Sequence, residues 1–251
     1  MRIYTCAPEW EAMLTTIYEA WSSKLGYENV KLLLEPVSQY TLFDEYVHVD
    51  ADSEKATKFV DAISQKISGY FYRQMAMTAM AYEEDVLDNI YHMLILGFAF
   101  GSKALDMMQY KDVVRNYEIR TRVCREANRF QEIMRFHQVG NVYVAHFEPK
   151  SRVIEYLGPV FQDRMPSENF MIIDDVHKIS LIHVADSPYF IRQLSEDEFS
   201  RSLISEEMND EYTDLWKVFF NTIAIKEREN YKCQMTHFPL WARAHAVEFM
   251  Q

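Results

Sequence analysis

Glycine and proline are scarce in this chain, with 6 Gly and 7 Pro in 251 residues. This scarcity excludes a collagen-like, linker-rich or low-complexity chain. Hydrophobic residues make up 49% of the sequence and aromatic residues 14%, more than a disordered chain carries. The sequence therefore predicts a folded protein with a sizeable core, in one large domain or two closely packed small ones.

The sequence also lacks a long apolar run and a cysteine framework. Its longest apolar candidate, residues 93–100, is far shorter than the roughly 20 residues that span a bilayer. Residues 1–11 do not resemble a secretory signal. The three cysteines Cys6, Cys124 and Cys233 lie far apart and form no C-x-x-C pair, which argues against both a disulfide framework and a zinc knuckle. We expect a soluble cytoplasmic protein with reduced thiols and no membrane partner.

Basic residues are fewer than acidic ones, with 26 Lys and Arg against 38 Asp and Glu, and the formal net charge is −12. Proteins that bind nucleic acid over a broad surface are usually basic, because neutralising phosphates provides most of the affinity. The acidic excess is uneven, since residues 101–185 carry 12 Lys and Arg against 11 Asp and Glu. Any contact with a polyanion is therefore expected in this middle segment.

The periodicity of apolar residues predicts helices in the first half and a small sheet in the second. Spacings of three and four predict helices over 9–25, 52–67, 71–81, 84–100 and 111–136. Residues 28–50 show no helical period and are expected to be irregular. Later segments read as strands over 141–147, 170–173 and 179–184, with helices over 153–161 and 211–229.

This order of elements favours an α+β fold over a doubly wound parallel sheet. We expect one helix-rich unit over residues 1–251, with a small, mainly antiparallel sheet in its second half. The alternative is a subdivision into a helical part, 1–105, and a part 106–251 that contains the long helix, the sheet and the last helix.

The helix predicted over 111–136 has the most informative charge pattern. Arg115, Arg122 and Arg129 recur every seven residues and Arg125 lies between them, so all four share one helix face. Arginine is suited to bidentate contacts with phosphate, and this face predicts a nucleic-acid contact. The alternative is a solvated helix whose arginines are neutralised by neighbouring glutamates. Those glutamates are Glu118, Glu126 and Glu132.

Two groups of acidic and histidine residues could hold a metal or act as an acid–base pair. His146 and Glu148 share one face of a predicted strand, and Asp174, Asp175 and His177 cluster at a predicted turn. Neither spacing is diagnostic, and aspartates are common in turns for local hydrogen-bonding reasons. The sequence therefore assigns no metal, no cofactor and no catalytic residue.

The C-terminal segment mixes charged, aromatic and apolar side chains. Residues 226–232 alternate in charge, and Gln234, His237 and His245 follow among aromatic residues. Aromatic residues interleaved with hydrogen-bond donors can stack on bases and bind phosphates. The apolar residues equally predict a docking tail, and they are Met235, Phe238, Leu240 and Trp241.

Several motifs together resemble one bacterial family. The sequence has R-E-A-N-R-F at 125–130 and R-F at 135–136, which match the core R-E-A-x-R-F-x-x-x-x-R-F. Further matches are L-G-F at 96–98, F-E-P at 147–149, L-G-P-V-F-Q-D-R at 157–164, I-A-I-K-E-R at 223–228 and F-P-L at 238–240. The chain resembles proteins of DNA metabolism and DNA repair that are built on a domain of unknown function. Related domains are fused to uracil-DNA glycosylases, and members are typically encoded beside a radical SAM protein of DNA modification or repair.

The resemblance implies an accessory protein of DNA repair or modification, with DNA and the radical SAM protein as partners. Together with the arginine periodicity, it predicts nucleic-acid contacts through Arg122, Arg125, Arg129, Arg135, Arg164, Arg228 and Gln234. Ala99, Asn128 and Gln131 stand where family members often carry basic side chains, and lost cations weaken polyanion binding.

Two alternatives remain open. The chain could dock on a radical SAM enzyme without touching DNA, which its acidity and apolar tail favour. It could also be an enzyme that acts on a nucleotide or damaged base, with Asp163, Asp175 or Glu126 as the acid or base.

Overall fold

The computed structural model describes residues 1–206, 211–243, 245–246 and 248–249. Its contacts divide the chain into two compact units, Met1–Val123 and Cys124–Gln251. The sequence-based subdivision at 105/106 places the whole arginine-rich helix in the second part, whereas the boundary between the units falls inside that helix. The reason is that Asn116 belongs to the interior of the first unit, where its amide donates to Asn89 Oδ1 at 2.9 Å and Thr78 Oγ1 at 3.2 Å.

The first unit combines a three-stranded sheet with helices. Its strands are β1 (Arg2–Cys6), β2 (Val30–Leu34) and β3 (Glu45–His48), in the order β2-β1-β3 with both pairings parallel. Its helices are α1 (Trp10–Ser22), α2 (Ser53–Lys66), α3 (Gly69–Ala79), α4 (Val86–Phe100) and the first half of α5 (Lys111–Ile133).

The expectation of an irregular segment over 28–50 is wrong, because β2 and β3 lie within it. Both strands pair with β1, which is distant from them in the sequence. Strands of four or five residues are too short for a periodic signal, and the partner that makes them strands is visible only in three dimensions.

Local signals for helices in the first unit are confirmed. The helix predicted over 52–67 does begin here: Asp52 caps α2 by accepting hydrogen bonds from the backbone N–H groups of Glu54 at 3.1 Å and Lys55 at 3.0 Å. In α4, a Cβ on Gly97 would lie 2.7 Å from Phe71 Cζ. Glycine at this position therefore lets α4 pack closely against α3.

The second unit is a five-stranded mixed sheet with helices. Its strands are β4 (His137–Val139), β5 (Val142–Phe147), β6 (Phe170–Asp174), β7 (Ile179–His183) and β8 (Phe190–Gln193), paired in chain order. The pairing of β5 with β6 is parallel and the other three are antiparallel. Its helices are the end of α5, α6 (Ile154–Arg164), α7 (Glu196–Glu206), α8 (Glu211–Ile223) and α9 (Tyr231–His237). The α+β prediction is confirmed.

The parallel pair β5–β6 is joined by α6, which packs against β7. A Cβ on Gly158 of α6 would lie 2.6 Å from Tyr189 Cζ and 2.9 Å from Leu181 Cδ1, so only glycine permits this close approach. Because β5 and β6 run in the same direction, their carboxyl ends meet at one edge of the sheet, where His146 is in register with Ile173.

Among the described residues, no helix is both long and apolar enough to cross a membrane.

Candidate functional site

The carboxyl ends of β5 and β6 bring the two acid–histidine groups of the sequence together. His146 lies near the end of β5, and Asp175 follows β6 directly. The Asp175 backbone N–H donates to the Phe147 carbonyl at 3.0 Å, which fixes the turn. His146 Nδ1 then lies 2.8 Å from Asp175 Oδ1, at hydrogen-bond distance.

A second histidine and a second carboxylate complete this cluster. His245 Nε2 lies 3.3 Å from Asp175 Oδ2 and 3.6 Å from Glu148 Oε1. The rings of His146 and His245 stack with centroids 6.0 Å apart. Sequence reasoning placed His245 only in the aromatic C-terminal segment, since no spacing links it to β5 or β6. We call His146, Glu148, Asp175 and His245 the edge cluster.

Burial differs sharply across the edge cluster. The His146 side chain is 0% exposed and that of Asp175 9%, whereas Glu148 is 52% exposed. His146 Nε2 is buried and has no hydrogen-bond partner. Its Nδ1 donates to the Asp175 carboxylate. The edge cluster thus contains a buried ring nitrogen without a hydrogen-bond partner.

A small cavity opens beside the edge cluster. Its walls include the edge-cluster residues His146, Glu148 and His245, together with Phe130, Arg135 and Trp241. The cavity volume is about 10 Å³, which is room for about one water molecule or ion. Phe130 stacks edge-on against both Phe147 and Trp241, with centroids 4.9 and 5.8 Å away. These contacts make one wall of the cavity aromatic and apolar.

Arg135, one of the predicted nucleic-acid contacts, lies in the wall of this cavity. Its Nη2 donates to Glu248 Oε1 at 2.8 Å, and the Glu248 side chain is only 3% exposed. Trp216 Nε1 donates to the other Glu248 oxygen at 3.1 Å, and its ring lies 5.0 Å from the Arg135 guanidinium. The charge of Arg135 is therefore balanced by a buried carboxylate within the same unit.

The arginines in the first half of α5 are also paired with carboxylates. Arg115 binds Asp85 through two hydrogen bonds of 2.6 and 2.7 Å, and Arg122 lies 2.8 Å from Glu83. The Arg115 guanidinium holds the pKa of the Asp85 carboxyl below its usual value. Asp85 and Glu83 precede α5 in the chain. Of the helix glutamates that the sequence offered as the alternative, Glu118 also lies near Arg115, with its Oε2 3.8 Å from the Arg115 Nη1.

Arg125 and Arg129, in the second half of α5, have a different environment. Arg125 is exposed and Arg129 is half-buried. Among the residues that the structure describes, neither forms an ion pair or a side-chain hydrogen bond. Glu126 could have neutralised them, but its carboxylate accepts from the backbone N–H groups of Lys150 at 2.6 Å and Ser151 at 3.3 Å. Both positive charges therefore remain available to a ligand.

The other predicted contact residues are dispersed. Arg164 donates from Nη1 to the Gln131 carbonyl at 3.0 Å, near the end of α5. Arg228 is exposed on a 3₁₀ turn, and Gln234 is half-buried in α9. Within the described part of the chain, no hydrogen bond or ion pair joins Arg228 or Gln234 to the arginines of α5.

The remaining acid–base candidates divide between structural and solvent-exposed positions. Asp174 is buried, and its Oδ1 accepts from the backbone N–H groups of Val176 at 3.0 Å and His177 at 2.9 Å. Its Oδ2 lies 2.7 Å from His177 Nδ1. This is the local turn role that is usual for aspartate. Asp163 is exposed on α6. Of the three carboxylates proposed as an enzyme's acid or base, Asp163, Asp175 and Glu126, Asp175 belongs to the edge cluster and the other two do not.

An apolar surface is exposed on α8. Its exposed residues are Leu215, Val218, Phe219 and Ile223. The following segment, predicted as a docking tail, packs partly on its own unit. Phe238 stacks edge-on against Phe249, and Trp241 against Phe130. Met235 and Leu240 stay exposed.

Comparison with known proteins gives one family match. The model of a domain of unknown function, DUF4130, matches residues 84–248. No curated protein matches the chain.

Proposed function

Since this chain belongs to the DUF4130 family, whose description leaves its activity open, we propose that it is an accessory protein of DNA repair or modification that contacts nucleic acid through Arg125 and Arg129. The motifs at 125–130, 147–149 and 157–164 support the link to DNA metabolism. The observation that carries the contact is the pair of unneutralised arginines on one face of α5.

The arginines predicted from the sequence then have two roles. Arg125 and Arg129 lie four residues apart, about one helical turn, and can address neighbouring phosphates. Arg122 and Arg135 already form ion pairs with carboxylates. We therefore propose that their main role is to stabilise the fold. Arg164, Arg228 and Gln234 remain peripheral candidates.

The proposal is tested by fluorescence anisotropy on single- and double-stranded DNA, plain and uracil-containing. We expect the double variant Arg125→Gln/Arg129→Gln to bind at least tenfold more weakly than the parent chain, because both free cations are lost. The matched control is Lys66→Gln/Arg73→Gln, which removes two exposed positive charges from the first unit. Equal affinity for the parent chain and the α5 variant would refute the proposal.

A second candidate is docking on the radical SAM protein, which the exposed apolar face of α8 favours. Monomeric proteins seldom leave such a patch uncovered. Leu215→Glu/Phe219→Glu should then abolish co-purification with that purified protein. Tyr70→Glu, at an exposed tyrosine of the first unit, should leave it intact. Co-purification that survives the α8 changes would exclude this face.

We also propose a cytoplasmic location. None of Cys6, Cys124 and Cys233 is in a disulfide, which fits a reducing compartment. A fluorescent fusion that localises outside the cytoplasm would contradict this.

A further inference from the structure

We infer that Glu148, Asp175 and His245 form a binding site for a divalent transition-metal ion, with His146 orienting Asp175. This site is separate from the phosphate contact proposed on α5 and needs neither nucleic acid nor a protein partner. The sequence alone assigned no metal, because the spacing of these residues matches no metal motif.

Distances within the edge cluster match the spacing of ligand atoms around a metal ion. One ligand atom from each of the three residues lies within 4.8 Å of the others. His245 Nε2 is 3.3 Å from Asp175 Oδ2 and 3.6 Å from Glu148 Oε1. Bonds of about 2.0–2.2 Å in a tetrahedral zinc site separate neighbouring ligand atoms by about 3.3–3.6 Å.

In a hydrogen-bonded histidine–carboxylate pair, the nitrogen and oxygen would be closer than the 3.3 and 3.6 Å measured from His245 Nε2. Charge-assisted N–H···O contacts are typically about 2.7–2.9 Å long. His146 and Asp175 meet at 2.8 Å, within that range, whereas the two contacts of His245 Nε2 are longer. Asp175 therefore offers one oxygen to a hydrogen bond and turns the other towards His245.

His146 provides the second, independent observation. Its ring is 0% exposed, and it lines the same cavity as Glu148 and His245. Its Nε2 has no hydrogen-bond partner, and a buried polar atom in that state costs free energy unless something occupies the cavity. A water bound to the ion would supply the missing hydrogen-bond partner. Through Nδ1, His146 also holds the ligating carboxylate in place, as residues behind metal ligands commonly do.

The charge and donor types of the site select the ion. Two carboxylates and one imidazole bring two negative charges, which a dication balances. Arg135 in the cavity wall does not offset them, because it is paired with buried Glu248. An imidazole nitrogen favours zinc and its neighbours over magnesium or calcium, which prefer oxygen ligands alone.

Three protein ligands leave one position of a tetrahedral ion open to water. Such an arrangement is typical of catalytic and not of structural zinc sites. An ion held by these three residues would lower the pKa of a bound water and could activate it as a nucleophile.

The test titrates metal-stripped, full-length protein with Zn²⁺ in competition with a chromophoric chelator, without DNA. We expect one equivalent bound by the parent chain and at least tenfold weaker binding in Glu148→Gln and in His245→Gln. Two exposed residues serve as matched controls, Glu155→Gln on α6 and His237→Gln on α9. Both controls should bind like the parent chain.

Because the Glu148 side chain is 52% exposed, Glu148→Gln should not disturb folding. This variant therefore still tests the site if His245→Gln fails to fold. Less than one equivalent bound would overturn the inference. So would one equivalent that persists undiminished in Glu148→Gln, which would indicate an adventitious ion only. Because no nucleic acid is present, failure of the metal site leaves the α5 proposal untouched.

Discussion

The cysteines differ in the reactivity of their thiols, because the fold buries one and exposes another. Cys6 ends β1, and burial raises the pKa of its thiol to about 11. Cys233 lies exposed on α9. Only the thiolate is nucleophilic, so the two should react at very different rates.

We predict that iodoacetamide at pH 8 modifies Cys233 and leaves Cys6 intact in the folded protein. At that pH a thiol with a pKa of about 11 is roughly one part in a thousand ionised, and burial further limits access. Peptide mass mapping measures both sites, and the same reaction in urea is the control in which both should be modified. Equal modification of Cys6 and Cys233 without urea would contradict the burial of β1.

The histidines show the same dependence on environment. His177 accompanies Asp174 in a local turn, whereas His146 binds Asp175 and faces the cavity. The sequence places all four residues near two strand ends and cannot separate these roles. Only the pairing of β5 with β6 determines that Asp175 belongs with His146 and Glu148.

Among the secondary-structure elements, α5 combines stability and binding on one helix. Its first half binds carboxylates of the first unit, and its second half leaves Arg125 and Arg129 unpaired within the described residues. Substituting an arginine in the first half of α5 should therefore affect stability, whereas substituting one in the second half should affect binding.

We predict that Arg115→Gln lowers the free energy of unfolding at pH 7 by at most about 1 kcal/mol, since the pair with Asp85 is partly exposed. Arg115 lowers the pKa of Asp85 in the folded state. This contribution to stability is therefore present above the unfolded pKa of about 4 and is lost as pH falls through the lower folded value. The difference between variant and parent should accordingly shrink towards pH 3.

Urea unfolding at pH 7 and pH 3 measures this difference. Arg125→Gln is the matched control, because it makes the same change on the same helix at a residue without a described partner. We expect its effect to stay within about 0.5 kcal/mol. Equal losses in the two variants would argue against the Arg115–Asp85 pair.

For the whole molecule, a net charge of −12 opposes any polyanion. Two free arginines provide few phosphate contacts, so binding should be weak and depend moderately on salt. About two contacts give a slope near −2 in a double-logarithmic plot of affinity against salt.

We therefore predict that raising salt from about 50 to about 200 mM weakens DNA binding roughly tenfold, as about two phosphate contacts require. Anisotropy titrations at several salt concentrations measure the slope, and the Arg125→Gln/Arg129→Gln variant should flatten it. A slope several times steeper would mean that many more cations take part. Affinity independent of salt would mean that phosphates are not the ligand.

The sequence by itself determined the α+β class, the helix start at Asp52 and most helices, because these depend on contacts between residues near one another in the chain. It also named both acid–histidine groups and the arginines of α5. The parallel strands β2 and β3 escaped it, because their partner β1 is distant in the sequence.

The tertiary structure alone decided which of the candidate residues act together. It joined His146, Glu148 and Asp175 with His245, and it paired Arg122 and Arg135 with carboxylates while leaving Arg125 and Arg129 without one among the described residues. A carboxylate neutralises an arginine, or shares an ion with a histidine, only within a few ångströms. Folding sets those distances, and no spacing along this chain encodes them.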